Sequence, residues 1–460
     1  MVVTRFAPSP TGYLHIGGLR TALFSYLWAR RNGGKFLLRI EDTDLARNSQ
    51  EAADAILDAF KWVGLSHDGE IIYQSERFDL YKKYIAKLLD EGHAYYCYMS
   101  KEELDALREE QMAAKQKPMY DNRWRDSDAT PPEGVQPVVR LKTPLEGKVL
   151  IPDGVKGNVE FSWSEIDDFI IARSDGTPTY NLVVAIDDAL MGVNHVIRGD
   201  DHLSNTPKQI AVYQALGLAV PKFFHVPMIH NEKGKKLSKR DGAMDVMDYK
   251  RNGYIPQALL NFLVRLGWSN KDQEIFSMEE MLALFDPDNI NKSASAYNVE
   301  KLDWLNSHYI KNMSNDDLAH LLADFEVVVH GHDKKEILLD NTKERAKTLK
   351  ELADAVTFIL KAPVEYSEKD VEKSVTDATA DILKNFVVML EGAKELHLPV
   401  DFQDAIEDFL KANDLKMPML GKSLRLALFG VATGPNLADA LAILGIDEVK
   451  PRVENFLKII

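Results

Sequence analysis

The chain has 460 residues, 45% of them hydrophobic, so it can bury cores for roughly two to four domains and is neither fibrous nor disordered in bulk. Its formal net charge of −15 argues against broad polyanion binding but leaves room for a local basic surface. The one cysteine, Cys97, excludes an internal disulfide framework, and no run of about 18 apolar residues offers a helical membrane span; with no leader-like N-terminus, these features predict a cytoplasmic protein without membrane contact.

From the N-terminus, Val2 to Ala7 reads as a short strand, and the Pro/Gly-rich stretch Pro8 to Gly18 as a turn. Leu19, Ala22, Leu23, Tyr26 and Leu27 recur at helical spacing, which predicts a helix to about Arg31, stopped by Gly33 and Gly34. Lys35 to Ile40 is an apolar run of strand length ending in Glu41-Asp42-Thr43-Asp44, which completes a βαβ unit. In such a unit the first strand-to-helix turn lies at the carboxyl edge of the sheet, where helix N-terminal amides favour a phosphate. Gly17 and Gly18 would admit a ligand to the backbone, with His15 and Arg20 as side-chain donors. A turn that only shapes the chain fits this stretch equally well.

Helical patterns follow at Gln50 to Val63 and Arg77 to Glu91, then a short buried strand at Tyr95 to Tyr98. Composition shifts near Ser100, where a charged helical segment (Lys101 to Lys117) gives way to strands at Val138–Leu141, Lys148–Ile151, Val159–Trp163 and Phe169–Ile171. This predicts an inserted α+β module from Ser100 to about Thr179. The α/β pattern resumes with Tyr180 to Ile186 and Asp187-Asp188. A strand at His195–Ile197, a helix from about Thr206 to Leu216 and one more strand from Phe223 to Ile229 follow. That last strand runs into the basic loop Lys235-Lys236-Leu237-Ser238-Lys239-Arg240. Beyond Asp245 helical patterns dominate to Ile460.

An isolated basic run is more often a solvated turn. Here, however, a glycine-rich turn after the first strand and a lysine loop after the last strand of one fold would converge on a single nucleotide. With these residues the chain resembles the bacterial-type glutamyl-tRNA synthetases, which are class I aminoacyl-tRNA synthetases, over essentially its whole length. Pro8-Ser9-Pro10-Thr11-Gly12-Tyr13-Leu14-His15-Ile16-Gly17-Gly18 matches the first class I signature in its glutamyl form, and Lys236-Leu237-Ser238-Lys239-Arg240 the second. Arg39 to Asp44 and Val196 to His202 are also similar to that family.

The resemblance implies a multidomain protein: an α/β Rossmann-type class I catalytic domain (1–99 and 180–245) split by an α+β acceptor-binding insertion (100–179). A stem-contact domain (246–314) and an all-α anticodon-binding domain (315–460) complete it. It implies ligation of L-glutamate to tRNA(Glu) through a glutamyl-adenylate, with ATP and Mg2+ and without a protein nucleophile. Catalysis would rest on positioning and charge stabilisation. His15, Lys236 and Lys239 are the implied catalytic residues, and Gly17, Gly18 and Ser238 join them at ATP. Arg5, Ala7, Ser9, Glu41, Tyr180 and Arg198 are the implied glutamate ligands: Arg5 for the side-chain carboxylate, Arg198 for the α-carboxylate, Glu41 for the α-ammonium. Each charged member could alternatively be a structural ion pair. Lys343, Arg345, Lys347 and Lys350 suit contacts to tRNA phosphates or a solvated helix face.

Several members of that family carry a zinc site in the insertion. Cys97, Met99, Trp124 and Asp126 stand at its positions here, and one thiolate with a thioether, an indole and a carboxylate cannot make the closed N/S tetrahedron, so no structural zinc is expected. Packing of Tyr95, Tyr96, Tyr98, Tyr120 and Trp124 is expected to hold the insertion instead. The resemblance implies a monomer, with tRNA(Gln) as an alternative acceptor in a non-discriminating form. A tRNA-base-glutamylating enzyme is disfavoured by the helical region from Asn315, a small-molecule nucleotidyltransferase by the insertion, and a catalytically silent tRNA binder by intact His15, Arg198 and Lys239.

Overall fold

A computed structural model of the chain describes residues 1–44, 48–237, 245–393 and 395–460. It divides into two compact units, residues 1–250 with 256–299, and residues 251–255 with 300–460.

In the first unit the strands are β1 Val3–Phe6, β2 Lys35–Ile40, β3 Ile72–Tyr73, β4 Ala94–Cys97, β5 Val138–Leu141, β6 Lys148–Asp153, β7 Gly157–Ser162, β8 Ile170–Ala172, β9 His195–Gly199, β10 Lys222–Val226, β11 Ile229–His230 and β12 Ser295–Ala296. Between them run helices α1 Ile16–Arg31, α2 Gln50–Val63, α3 Phe78–Asp90, α4 Lys101–Ala113, α5 Tyr180–Leu190 and α6 Thr206–Ala215, with α7 Val246–Arg251, α8 Pro256–Arg265 and α9 Met278–Leu284 after β11. β1, β2 and β3 form one parallel sheet, and β7-β6-β10-β9 another in which β6, β10 and β9 run parallel. β1 stands beside β9, where Asn194 accepts from the Val3 N–H through its side chain (2.8 Å) and donates its own N–H to the Val3 carbonyl (3.1 Å). The carboxyl ends of β1, β2, β9 and β10 therefore lie along one edge, at the place where the strand order reverses. All four residues of β1 are buried, as expected of a central parallel strand covered on both faces.

Several expectations need correction. The apolar run Tyr180 to Ile186, with which the α/β pattern resumes, is helical, part of α5. Leu182 to Asp188 are all buried, so no polar face advertises the helical period. The strand expected from Phe223 to Ile229 is two strands, because Pro227 between them has no N–H to offer a ladder. The boundary expected near Ser100 falls inside a hydrogen-bonded unit, since β4 pairs antiparallel with β5, and β5 with β8. The insertion's hairpin, β6–β7, is likewise continuous with β10 and β9.

Around β4, Cys97, Met99 and Tyr120 are buried together against Tyr95, Leu104, Leu107 and Trp124, and the Tyr98 and Trp124 rings lie 5.1 Å apart. Tyr96, expected in this packing, is 51% exposed and takes no part in that cluster. Asp126 is at the surface, 2.5 Å from the Lys142 ammonium. Of the four zinc-position residues, Cys97, Met99 and Trp124 thus pack in one cluster, while Asp126 pairs with Lys142. Among the described residues no helix is long and apolar enough to cross a membrane.

The second unit is helical: α10 Val299–Asn312, α11 Asn315–Leu322, α12 Lys335–Lys343, α13 Leu349–Leu360, α14 Glu368–Ser374, α15 Thr379–Gly392, α16 Pro399–Ala412, α17 Met417–Phe429 and α18 Leu437–Leu457, which breaks at Gly445 (φ +66°). Buried Arg452 donates to the carbonyls of Ile359, Leu428 and Leu360, which ties the ends of α13 and α17 to α18. Arg345, Lys347 and Lys350 are exposed, whereas Lys343 is committed to Asp340 (2.7 Å) and Asn315 (2.9 Å).

Candidate active site

Arg5 leaves β1 and Arg39 leaves β2, and both are buried against Asp188 near the end of α5. Arg5 Nε and Nη2 donate to Asp188 Oδ1 and Oδ2 at 3.1 and 3.2 Å. Arg39 Nη1 donates to the same Oδ1 at 2.6 Å, and its Nη2 to Glu41 Oε1 at 3.0 Å. The result is a continuous charged chain, Arg5–Asp188–Arg39–Glu41. Burial pushes Asp188 up, but the two guanidiniums outweigh it and hold the carboxyl at about 2. For Glu41 burial wins over Arg39 and Arg5, and its pKa is raised. Neighbouring Asp187 points elsewhere, accepting from Gln74 (2.9 Å), Arg77 (2.9 Å) and Tyr81 (2.7 Å). One helical residue turns a side chain by about 100°, so adjacent carboxylates serve separate networks.

Arg198 on β9 is held differently. Its Nε donates to His225 Nε2 at 3.2 Å and its Nη2 to Thr206 Oγ1 at 2.8 Å, both neutral acceptors. Its Nη1 is buried with no hydrogen-bond partner. A buried cation with an unmatched N–H is costly, which marks Arg198 as poised for an anion. Tyr180, at the start of α5, bonds His202 Nδ1 at 2.9 Å, and burial with the Glu41 charge drives its hydroxyl up to about 12. Burial, then the Arg198 charge, keep His202 below the usual histidine range.

The first turn borders this cluster. Pro8 accepts the Glu41 N–H at 2.9 Å, tying the turn to the end of β2; Ala7 is half-buried and Ser9 exposed. His15 is the N-cap of α1, with Nδ1 accepting from the Gly17 and Gly18 amides at 3.1 and 3.3 Å. A Cβ on Gly17 would stand 3.0 Å from the His15 ring, which would have to shift by a few tenths of an ångström to admit it. Those amides, expected to face phosphate, are occupied by the imidazole. Because Nδ1 accepts, the proton sits on Nε2, which is the donor left for a ligand. Desolvation, then the Lys236 ammonium, lower the His15 pKa and keep the ring neutral near pH 7.

Arg20 is corrected outright. It is buried, donating to the Leu266 carbonyl (2.8 Å) and the Pro227 carbonyl, and it locks α1 to distant chain rather than facing a ligand. Ser238 and Lys239 lie outside the described residues. Their flanks do converge on the first turn: Lys236 forms a bridge with His230, while Asp245 bridges to His15 and the Val246 N–H donates to the Leu14 carbonyl at 2.9 Å. Lys236, whose charge reaches His15, and Asp245, which bridges to it, thus both lie near the first turn.

Comparison with known proteins gives the same family throughout. Residues 1–304 match the family described as tRNA synthetases class I (E and Q), catalytic domain, and residues 295–457 match the anticodon binding domain. The chain belongs to the class I tRNA synthetases. It is 66% identical over 458 residues to glutamate–tRNA ligase 2 of a Nitratiruptor species, covering 100% of this chain and 99% of that one. Glutamate–tRNA ligase 1 of Sulfurimonas denitrificans is 64% identical over 461 residues, covering all of both. A crystal structure of a glutamate tRNA ligase from Elizabethkingia meningosepticum, in complex with its amino acid, superposes with a TM-score of 0.89 at 32% identity, over 99% of each chain. Tyr180 is close enough to Glu41, Arg198 and Arg5 to feel their charges, which brings together these four residues singled out in the sequence. Asp188, Asp153, Thr206 and His225, which hold two of the arginines, were not foreseen. An acidic pair after an apolar run was the one sequence signal, and it served Asp188 only.

Proposed function

We propose that this chain joins L-glutamate to tRNA(Glu): a glutamate carboxylate oxygen attacks the α-phosphorus of ATP, pyrophosphate leaves, and a ribose hydroxyl of the terminal adenosine then takes the glutamyl group, releasing AMP. The observation that carries this reading is the pair of buried guanidiniums and one buried carboxylate, Arg5, Arg198 and Glu41, gathered at the carboxyl ends of β1, β9 and β2 beside the His15 cap. A dicarboxylic amino acid presents two anions and one cation, and the side chains present the complement. Arg198, with Nη1 unpartnered, suits the α-carboxylate; the Arg5 edge not taken by Asp188 suits the side-chain carboxylate; Glu41 suits the ammonium. Glutamine would leave a guanidinium short of an anion, a mismatch that discriminates strongly.

Ala7, Ser9 and Tyr180 line the same pocket in this reading. His15 Nε2–H serves the ATP phosphates, held in place by the Gly17 and Gly18 amides on its Nδ1, and Lys236, Ser238 and Lys239 neutralise the departing pyrophosphate. Mg2+ would arrive with ATP, carried by phosphate oxygens and water. The reading includes no structural zinc and a monomer at work in the cytoplasm. It also assigns the insertion to the acceptor end of tRNA and the helical region to the anticodon, with divisions near 179, 245 and 314.

Purified tRNA(Glu) and tRNA(Gln) charged with labelled glutamate test the proposal. Label on tRNA(Glu), abolished by Lys239→Ala, is the expected result, and no charging of either overturns it. Label on both indicates relaxed tRNA choice.

A further inference from the structure

We propose that Asp153 and His225 are positioning residues for the amino acid: Asp153 fixes the protonation pattern of His225, whose Nε2 then orients the Arg198 fork and leaves Nη1 for the substrate carboxylate. This rests on the reading of Arg198 as a carboxylate ligand.

His225 and Arg198 are register partners on parallel β10 and β9, and Asp153 closes β6 on the other side of β10. All three are buried. Asp153 Oδ1 accepts the amides of Val155 and Lys156 at 3.0 and 2.7 Å, and Oδ2 accepts both the N–H (3.1 Å) and Nδ1 (2.6 Å) of His225. An ionised carboxylate only accepts, so His225 carries its proton on Nδ1 and presents a lone pair at Nε2. That lone pair meets Arg198 Nε at 3.2 Å and Thr206 Oγ1 at 3.0 Å. Burial lowers the His225 pKa despite Asp153, which keeps the ring neutral. A neutral acceptor aligns a guanidinium without cancelling its charge, whereas a carboxylate in that place would neutralise the cation before substrate arrived. The turn that bears Asp153 is fastened to the end of β9 a second time, by Lys156 on Asp200 at 2.8 Å.

Asp153→Asn is the decisive change. The asparagine carbonyl keeps two backbone amides only if its NH2 faces His225, which forces the proton to Nε2 and sets N–H against N–H at Arg198. The glutamate Kd by calorimetry and the glutamate KM in tRNA charging should both rise about tenfold or more, with the ATP KM near wild type. Adding His225→Gln, whose amide oxygen accepts regardless of Asp153, should restore most of the glutamate affinity. Equal effects on glutamate and ATP, or a double variant no better than Asp153→Asn alone, overturn the proposal. Arg198→Ala separates the two levels: if it leaves glutamate binding unchanged, the Arg198 reading fails; if it weakens binding while Asp153→Asn does not, the positioning pair alone fails. Should Asp153→Asn not fold, the 15N spectrum of imidazole-labelled wild type, assigned by loss of one signal set in His225→Gln, must show Nδ1–H for His225; an Nε2–H form overturns the proposal.

Discussion

Arg5 and Arg198 stand on neighbouring parallel strands, both buried, and the protein treats them in opposite ways. Arg5 shares Asp188 with Arg39, so its charge is matched before any ligand arrives. Arg198 is oriented by an imidazole and a hydroxyl and keeps its full charge, with Nη1 unmatched. In the proposed reading, the first arrangement lends only one guanidinium edge to the amino acid, whereas the second leaves an uncompensated cation that a carboxylate would match. What sets Arg198 apart is an unmatched terminal Nη1 together with acceptors that are all neutral.

The sharpest way to break this contrast is Asp188→Ala. It strips both Arg5 and Arg39 of a buried carboxylate, and unfolding in urea should show a loss of about 3–5 kcal/mol; a loss under about 1 kcal/mol would mean the cluster is hydrated rather than paired. Next in size, Arg5→Ala leaves Asp188 still paired with Arg39, so the effect should fall on substrate: the glutamate KM should rise far more than the ATP KM. Equal changes would remove Arg5 from amino-acid recognition. Smallest is the cap at the first turn, where His15→Ala should cost about 1 kcal/mol of stability at pH 8. The His15 pKa is lowered in the folded chain, so its contribution is complete above the ordinary histidine value and is lost as pH falls below it toward the folded value. The difference between wild type and His15→Ala should shrink toward pH 5, and a constant difference would place the cap proton elsewhere.

Much of this site could be read from the chain because its parts are local. The strand, cap and helix of the first βαβ unit follow from a few adjacent residues and a helical period. What escaped depends on contacts distant in sequence. Arg20 reads as a donor beside a phosphate-binding turn, but its acceptors are the carbonyls of residues 227 and 266. Asp153 and His225 are 72 positions apart and share no motif. α5 is buried along nearly its whole length, so its sequence lacks the polar stripe by which a helix is told from a strand.

The hairpin β6–β7 bears on how this enzyme can be taken apart. A segment added between two halves of an older fold is ordinarily a cassette, removable or exchangeable at its ends. This one supplies β6 to the catalytic sheet and Asp153 to the far side of β10. Cutting it out would leave β10 as a bare sheet edge, open to pairing with another chain, and His225 without the group that settles its proton. Chimeras that exchange the insertion should therefore keep residues 148–162 with the recipient, and exchange only what lies before them.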